Sequence, residues 1–371
     1  MAHRLLTPGD PAPHFRQRSG SNPAYAFDTA AGRYLILCFL GSGGDAHAQQ
    51  AVAGVRARPD LFNDSHAAFF AVSNDPADAQ LARLDERVPG YRLFWDFDRS
   101  VARLYGAVDR DDPGQLQVEV RRMWVVLDPM LRVVQVIPFA PDRSDFAALI
   151  AAVAALPPPD RFVGFELQAP IIVLPDVFEP GLCAELIACY DAAGGIASGF
   201  MCEVDGKTVL VNDPAHKRRR DHDITDRAMI ERIQARIRRR IVPEIARVHQ
   251  FHATRMERYL VACYDAGDRG HFQPHRDNTT RGTAHRRFAV SVNLNAAFEG
   301  GELWFPEYGP RGFRMPAGAA AIFSCSLLHA VRPVTSGRRY AFLPFLYDEA
   351  AARQREANNA HLGEGIGAYR A

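Results

Sequence analysis

The chain has 371 residues, 47% hydrophobic and 23% charged, and its 44 Lys and Arg against 43 Asp and Glu leave a formal net charge of +1. Length and ordinary composition predict a folded protein of two or three domains, not a disordered chain, and the near-balanced charge excludes a general drive toward nucleic acid or membrane surfaces. No apolar run approaches the length of a membrane span, and Met1 to Asp10 lack a secretory hydrophobic region, so the cytoplasm is the expected compartment.

Strand and helix patterns alternate over the first 155 residues. Tyr34 to Leu40 and Ala67 to Ser73 are continuous apolar runs with the length and composition of buried strands, and Met123 to Leu127 with Val133 to Ile137 predict a closing pair. Helices are expected around 46–56, 78–87 and 144–155, which together predict a mixed sheet covered by helices. Pro157-Pro158-Pro159 then marks a domain junction. The six cysteines, Cys38, Cys183, Cys189, Cys202, Cys263 and Cys325, form no Cys-x-x-Cys pair and are expected to be reduced thiols.

Beyond the junction, 160–172 enters a second domain, and helical segments are expected over 180–191 and 226–248. The latter carries Arg232, Arg236, Arg238, Arg239 and Arg240, preceded by the basic run 216–223. Asp221, Asp223, Asp226 and Glu231 interleave with these cations and no aromatic ladder accompanies them, so a solvated or salt-bridged face is favoured over an entrance for an acidic substrate. Nucleic acid ranks behind both. Residues 197–223 and 278–287 read as loops that shape a groove, and 351–371 as a tail with a short helix and then a mobile end or lid.

The chemistry concentrates near the C-terminus. His275-Arg276-Asp277 is followed 52 positions after Asp277 by His329 and ten later by Arg339. Two imidazoles and a carboxylate hold non-haem Fe(II) on one face and leave the opposite positions open. Strand alternation would aim His275 and Asp277 inward with Arg276 out, and the apolar flanks of His329 predict a buried strand. Arg339, in a turn entering the last apolar strand, can pair with a bound dicarboxylate; Arg338 competes for that role, but only one of the two can face in.

On these residues, 259–347 resembles the catalytic core of the Fe(II)/2-oxoglutarate-dependent dioxygenases, in particular the prolyl-4-hydroxylase type. Tyr259 to Tyr264 and Gly270 to Asn278 are similar to the opening strand, Val290 to Asn295 and Phe298 to Phe305 to the middle strands and Gly-Gly-Glu turn, and His329 to Val334 with Gly337 to Tyr340 to the closing segment. Leu174 to Ile187 resembles the family's helical lead-in, though less specifically. The resemblance implies a double-stranded β-helix, or jelly roll, with supporting helices; iron bound by His275, Asp277 and His329; and the distal carboxylate of 2-oxoglutarate held by Arg339 with Tyr264 beside it and Asn293 nearby. It further implies O2 as co-substrate, ascorbate as a supporting reductant, and release of succinate and CO2. Asp277 supplies the carboxylate that halogenating relatives lose, so hydroxylation is the implied outcome.

The N-terminal half resembles a peroxiredoxin of thioredoxin-like fold through Gly9 to Phe15, Asp98 to Gly106 and Met123 to Asp128. It departs at the active-site loop, where Gly41 to Ala48 contains no cysteine; Cys38 lies inside the preceding strand, and His47 reads as a surface histidine at a helix start. A redox-inactive module for homodimerisation or docking is implied.

The expected domains are therefore 1–157, thioredoxin-like α/β; 160–350, the oxygenase jelly roll; and 351–371, the tail. The leading function is hydroxylation of a peptidyl residue, proline first, or of an amino-acid-like small molecule. A nucleic-acid oxidative demethylase and a catalytically inactive binding scaffold are the alternatives.

Overall fold

The structure is a computed structural model that describes residues 5–108 and 118–370. It divides into two compact units, Met1–Gln168 with Pro306–Pro310, and Ala169–Phe305 with Arg311–Ala371.

The first unit is built on a five-stranded sheet. Strand β1 (Tyr34–Gly41) is buried from Tyr34 to Leu40, which is why its apolar run is unbroken. Helix α1 (Ala46–Arg56) connects it to the parallel β2 (Ala67–Ser73), and β3 (Tyr91–Trp95) extends the parallel side. On the other side β4 (Met123–Leu127) and β5 (Val133–Pro138) add antiparallel, giving the order β3-β2-β1-β4-β5, and α2 (Ser144–Ala154) follows. Asp45 caps α1 by accepting from the His47 and Ala48 N–H groups, and Ala48, Ala51, Val52 and Val55 form its buried face at helical spacing. That face and α2 pack with Ile36, Cys38, Phe69 and Trp124 in one core. This is the thioredoxin-like arrangement that the resemblance implies.

Two local expectations fail here for physical reasons, and one strand was not expected. The helix expected over 78–87 is only a short turn, Pro76–Gln80. Asp78 is buried, with its carboxylate accepting from Gly43 N–H and Ser73 Oγ (both 2.6 Å) and Arg83 Nη1 (3.2 Å), and Ala82 at φ +48° reverses the chain. Strand β3 escaped notice because it is short and Arg92 interrupts its apolar run; Arg92 makes two bonds of 2.7 Å to Asp64. His47 is no surface residue: Nε2 lies 3.0 Å from buried Asp145, its ring packs 4.5 Å from that of Phe139, and its side chain is 12% exposed.

The second unit opens with β6 (Ile172–Leu174) and α3 (Pro180–Ala193). The hairpin β7 (Phe200–Val204) and β8 (Lys207–Val211) follows, then β9 (Lys217–Arg218) and β10 (Arg220–Asp223). The segment 197–223, read from sequence as a loop, is thus largely strand. The helix expected over 226–248 is divided into α4 (Arg227–Arg236) and α5 (Val242–His249) by a π-helical turn at Ile237–Ile241. Pro243, two residues past that turn, has no N–H to donate and its ring crowds the carbonyl four residues back, which opposes a regular α-helical turn there. Arg232 pairs with Glu185, and Arg236 and Arg240 with Glu179, so part of the basic surface of these helices is salt-bridged.

The remaining strands are β11 (Arg255–Glu257), β12 (Leu260–Asp265), β13 (His271–His275), β14 (Phe288–Asn293), β15 (Phe298–Gly300), β16 (Leu303–Trp304), β17 (Gly312–Phe313), β18 (Ala320–Ser324), β19 (His329–Val331), β20 (Val334–Phe342) and β21 (Phe345–Tyr347). They form two sheets of a jelly roll. The smaller has the order β9-β13-β19-β16-β17; the larger runs β11-β21-β14-β20-β12-β10, with β18 on β14 and β6 on β18. Helices α3 to α5 and the π-helical turn cover the larger sheet through Leu182, Leu186, Ile233, Ile241 and Ile245, packed in one core with Val261, Val290, Ile322 and Phe342. Helix α6 (Glu349–Ala357) continues from β21 within this unit and buries Ala351 and Ala352.

Candidate active site

The smaller sheet brings the two histidines together. Strands β13 and β19 pair antiparallel with His275 opposite His329, which sets the imidazole centroids 4.3 Å apart. Asp277 arrives differently from the expectation. It lies past the end of β13, not on it, and its N–H donates to Cys325 O at 3.0 Å, so a turn rather than strand alternation aims its carboxylate. Its oxygens lie 3.6 Å from His275 Nε2 and 3.4 Å from His329 Nε2. One donor atom from each of the three residues falls within 4.8 Å of the others.

The donors are prepared for a cation. Backbone carbonyls can only accept, so Nδ1 of His275, 2.8 Å from Gln273 O, and Nδ1 of His329, 3.0 Å from Leu327 O, both carry protons; each Nε2 lone pair is left for the site. Burial and the neighbouring His329 push the His275 imidazole down to about 4, so it is a neutral ligand at neutral pH. Burial alone would raise the Asp277 carboxyl, but His329 and His275 outweigh it and hold the group well below its usual range. Two imidazole nitrogens and one carboxylate are a donor set that suits Fe(II).

A second cluster lies on the larger sheet. Strand β20 contains Arg339 within it, not in a turn, and sets it opposite Tyr264 of β12. Arg339 is 1% exposed and its guanidinium lies 5.4 Å from the Tyr264 ring centroid. Nε and Nη2 donate to Asn293 Oδ1 (3.1 and 3.0 Å), and Nη2 also to Ser291 Oγ (2.9 Å), while buried Nη1 has no partner. An orphaned buried guanidinium nitrogen is costly unless a ligand oxygen completes it. Asn293 supports the arginine, since its own Nδ2 donates to Met315 O at 2.7 Å. Arg338 faces the other way and pairs with Asp265 at 2.6 Å.

Sequence reasoning missed the neighbours of this cluster. In 217–220 burial alternates: Lys217 and Arg219 are buried, Arg218 and Arg220 exposed. Arg219 makes a bidentate pair with Asp221 (2.7 and 2.6 Å) and approaches Tyr264 Oη at 3.5 Å. Lys217 Nζ donates to Ser198 Oγ (2.8 Å) and Gly199 O (2.5 Å) above the Phe272 ring, and burial with Arg219 nearby pushes its ammonium down to about 5. Phe272 in turn stacks on His275, with centroids 3.5 Å apart. A period of two in the basic run was the available signal, hidden because every position in it is polar.

The second unit thus combines a jelly roll, two histidines and a carboxylate within reach of one cation, and a buried arginine with an orphaned nitrogen. Residues 259–347 match the 2OG-Fe(II) oxygenase superfamily, and residues 8–136 match the AhpC/TSA family. A PKHD-type hydroxylase of Pseudomonas fluorescens is 33% identical over 118 residues, 29% of this chain and 50% of that protein. One of Verminephrobacter eiseniae is 31% identical over 99 residues, 24% of this chain and 43% of the relative. The chain thus spans about half the length of the curated relatives it matches. Among solved structures, a prolyl hydroxylase of Trichoplax adhaerens in complex with a hypoxia inducible factor peptide fragment is similar over 50% of this chain and 85% of that one, at 18% identity and TM-score 0.40. The peroxidoxin BcpB of Mycobacterium tuberculosis is similar over 41% of this chain and 99% of that one, at 20% identity and TM-score 0.36. No helix among the described residues is long and apolar enough to cross a membrane.

Proposed function

We propose that the second unit is an Fe(II)- and 2-oxoglutarate-dependent dioxygenase that hydroxylates a C–H bond of a peptidyl residue, proline first, or of an amino-acid-like small molecule. The observation that carries the reading is the triad of ligand atoms within 4.8 Å in the same unit as a buried Arg339 whose Nη1 has no partner. His275, His329 and Asp277 would hold the iron, and Arg339 would bind the distal carboxylate of 2-oxoglutarate through a charge-assisted bond, with the Tyr264 ring against its guanidinium. When bound, iron and 2-oxoglutarate supply the oxidation: 2-oxoglutarate, O2 and R–H give succinate, CO2 and R–OH. The chain's own part is to bind, orient and exclude water. Phe272 on His275, and Phe323 with its centroid 4.7 Å from that of His329, supply apolar walls around the ligands.

The proposal extends to the whole chain as an oxygenase domain over 160–350 with the tail 351–371, preceded by a thioredoxin-like domain over 1–157 without peroxidase chemistry, which serves docking or homodimerisation. Cytoplasmic residence and ascorbate as a supporting reductant belong to the same reading.

The test is an anaerobic titration of the protein with Fe(II) and then 2-oxoglutarate, watching the visible charge-transfer band of the chelate, with His329→Ala as control. A band in the parent protein that is missing from the variant, followed by substrate-dependent succinate release, is the expected result. No band from well-folded parent protein rejects the assignment.

A further inference from the structure

We infer that Glu257 and Arg286, fastened from outside by Arg355 of α6, position the Asp277 carboxylate for metal binding; the inference rests on the iron reading above. Each histidine sits on a strand of the smaller sheet, but Asp277 lies outside any strand. Besides its N–H bond to Cys325 O, its main chain is held by Arg286, whose Nη1 donates to Asp277 O at 3.4 Å. The flanking residues are tied to Ser326, Asn278 Nδ2 donating to its Oγ at 2.8 Å and Arg276 Nη1 to its carbonyl oxygen, and Arg286 is the hold that reaches Asp277 from the Glu257 side.

Arg286 is fixed. Its Nε donates to Glu257 Oε1 at 2.7 Å, its guanidinium lies 4.1 Å from the Phe345 ring centroid, and its side chain is 11% exposed. Glu257, on β11, is 7% exposed and sits among three nitrogen-bearing partners: Arg286, Arg355 Nη2 at 2.8 Å and His285 Nε2 at 3.2 Å. Arg355 is held in turn by Tyr347 Oη, to which its Nη1 donates at 2.9 Å, and by the Tyr369 ring, 4.1 Å from its guanidinium. Removing Glu257 would leave two guanidinium groups without their shared carboxylate, and removing either arginine would leave the buried carboxylate with one cation fewer. The path from α6 to Asp277 is therefore rigid, and two of its members, Glu257 and Arg355, lie outside the segment 259–347 that matches the oxygenase superfamily. The tail, expected to hold a short helix and then a mobile end or lid, supplies on this inference a brace for a ligand through its helix.

Groups that orient metal ligands typically change metal affinity by about 10- to 100-fold when lost. The test is Mn(II) affinity without 2-oxoglutarate, read from the electron paramagnetic resonance of the unbound ion, for Arg286→Gln, Glu257→Gln and Arg355→Gln. Arg353→Gln, an exposed change on the same helix, is the control. Binding roughly 10- to 100-fold weaker in Arg286→Gln and Glu257→Gln, a smaller loss in Arg355→Gln and parent affinity in the control is the expected pattern. Arg355 is 25% exposed, so its variant carries the test if the two inner ones fail to fold. Lowered thermal midpoints with unchanged Mn(II) affinity would make the cluster a fastening for α6 alone and overturn the inference. If the parent protein binds no Mn(II), it is the iron reading that fails, and this inference with it.

Discussion

Replacing Arg339 by Lys isolates the fork of the guanidinium from its charge. In the parent protein two nitrogens, Nε and Nη2, are committed to Asn293 and Ser291, and Nη1 remains for a ligand. A lysine ammonium retains the positive charge but cannot span both jobs from one point, so it either abandons Asn293 or meets the carboxylate poorly. The expected loss is about one charge-assisted hydrogen bond, ~1.5–3 kcal/mol. At about 1.4 kcal/mol per decade this is roughly a 10- to 150-fold rise in the 2-oxoglutarate dissociation constant. The assay is the anaerobic titration of the Fe(II)-loaded protein with 2-oxoglutarate by its charge-transfer absorbance, beside a separate Mn(II) titration, which should be unchanged because Arg339 touches none of the three metal-ligating side chains. If Arg339→Lys binds 2-oxoglutarate within about twofold of the parent, the assignment of Nη1 to the co-substrate is refuted.

Three further outcomes are expected. Gly301 has φ +67°, and a Cβ there would lie 2.9 Å from Val334 Cγ2 and 3.2 Å from Arg339 Cδ; Gly301→Ala should cost about 1–2 kcal/mol by chemical denaturation and weaken 2-oxoglutarate binding more than Mn(II) binding. Burial alone would raise the Asp221 carboxyl, but Arg219 outweighs it and lowers it to about 2 from 3.8, so the unfolded chain binds the extra proton between those values. The stabilisation is thus complete above about pH 4 and fades as pH falls toward 2; Asp221→Asn should cost about 3–5 kcal/mol at neutral pH and flatten that acid limb in urea melts. Cys38 is fully buried and burial pushes its thiol well above the ordinary value, so consumption of hydrogen peroxide with dithiothreitol should match the blank, and a Cys38-dependent rate would overturn the inactive reading of the first unit.

How far the sequence could be read depended on which interactions leave a local trace. The central strands of the first unit were legible because burial on both faces makes unbroken apolar runs, as in Tyr34 to Leu40. Strand β3, cut by Arg92, and the hairpin over 200–211, whose residues are mostly half-exposed, left no such trace. His275, Asp277, His329 and Arg339 could be named before any coordinates because metal and carboxylate chemistry restricts which residue types serve. Sequence by itself thus indicated the two-part architecture and the three residues that the structure gathers into one triad. Tertiary structure alone decided orientation. The pairing of β12 with β20 turned Arg339 toward Tyr264 and Arg338 toward Asp265, and an uneven burial of like charges drew Lys217 and Arg219 inside. The contacts among Arg355, Glu257, Arg286 and Asp277 join residues as far as 98 positions apart, and no local pattern encodes them: a buried charge is specified by whichever partner the fold brings within reach, not by its neighbours along the chain.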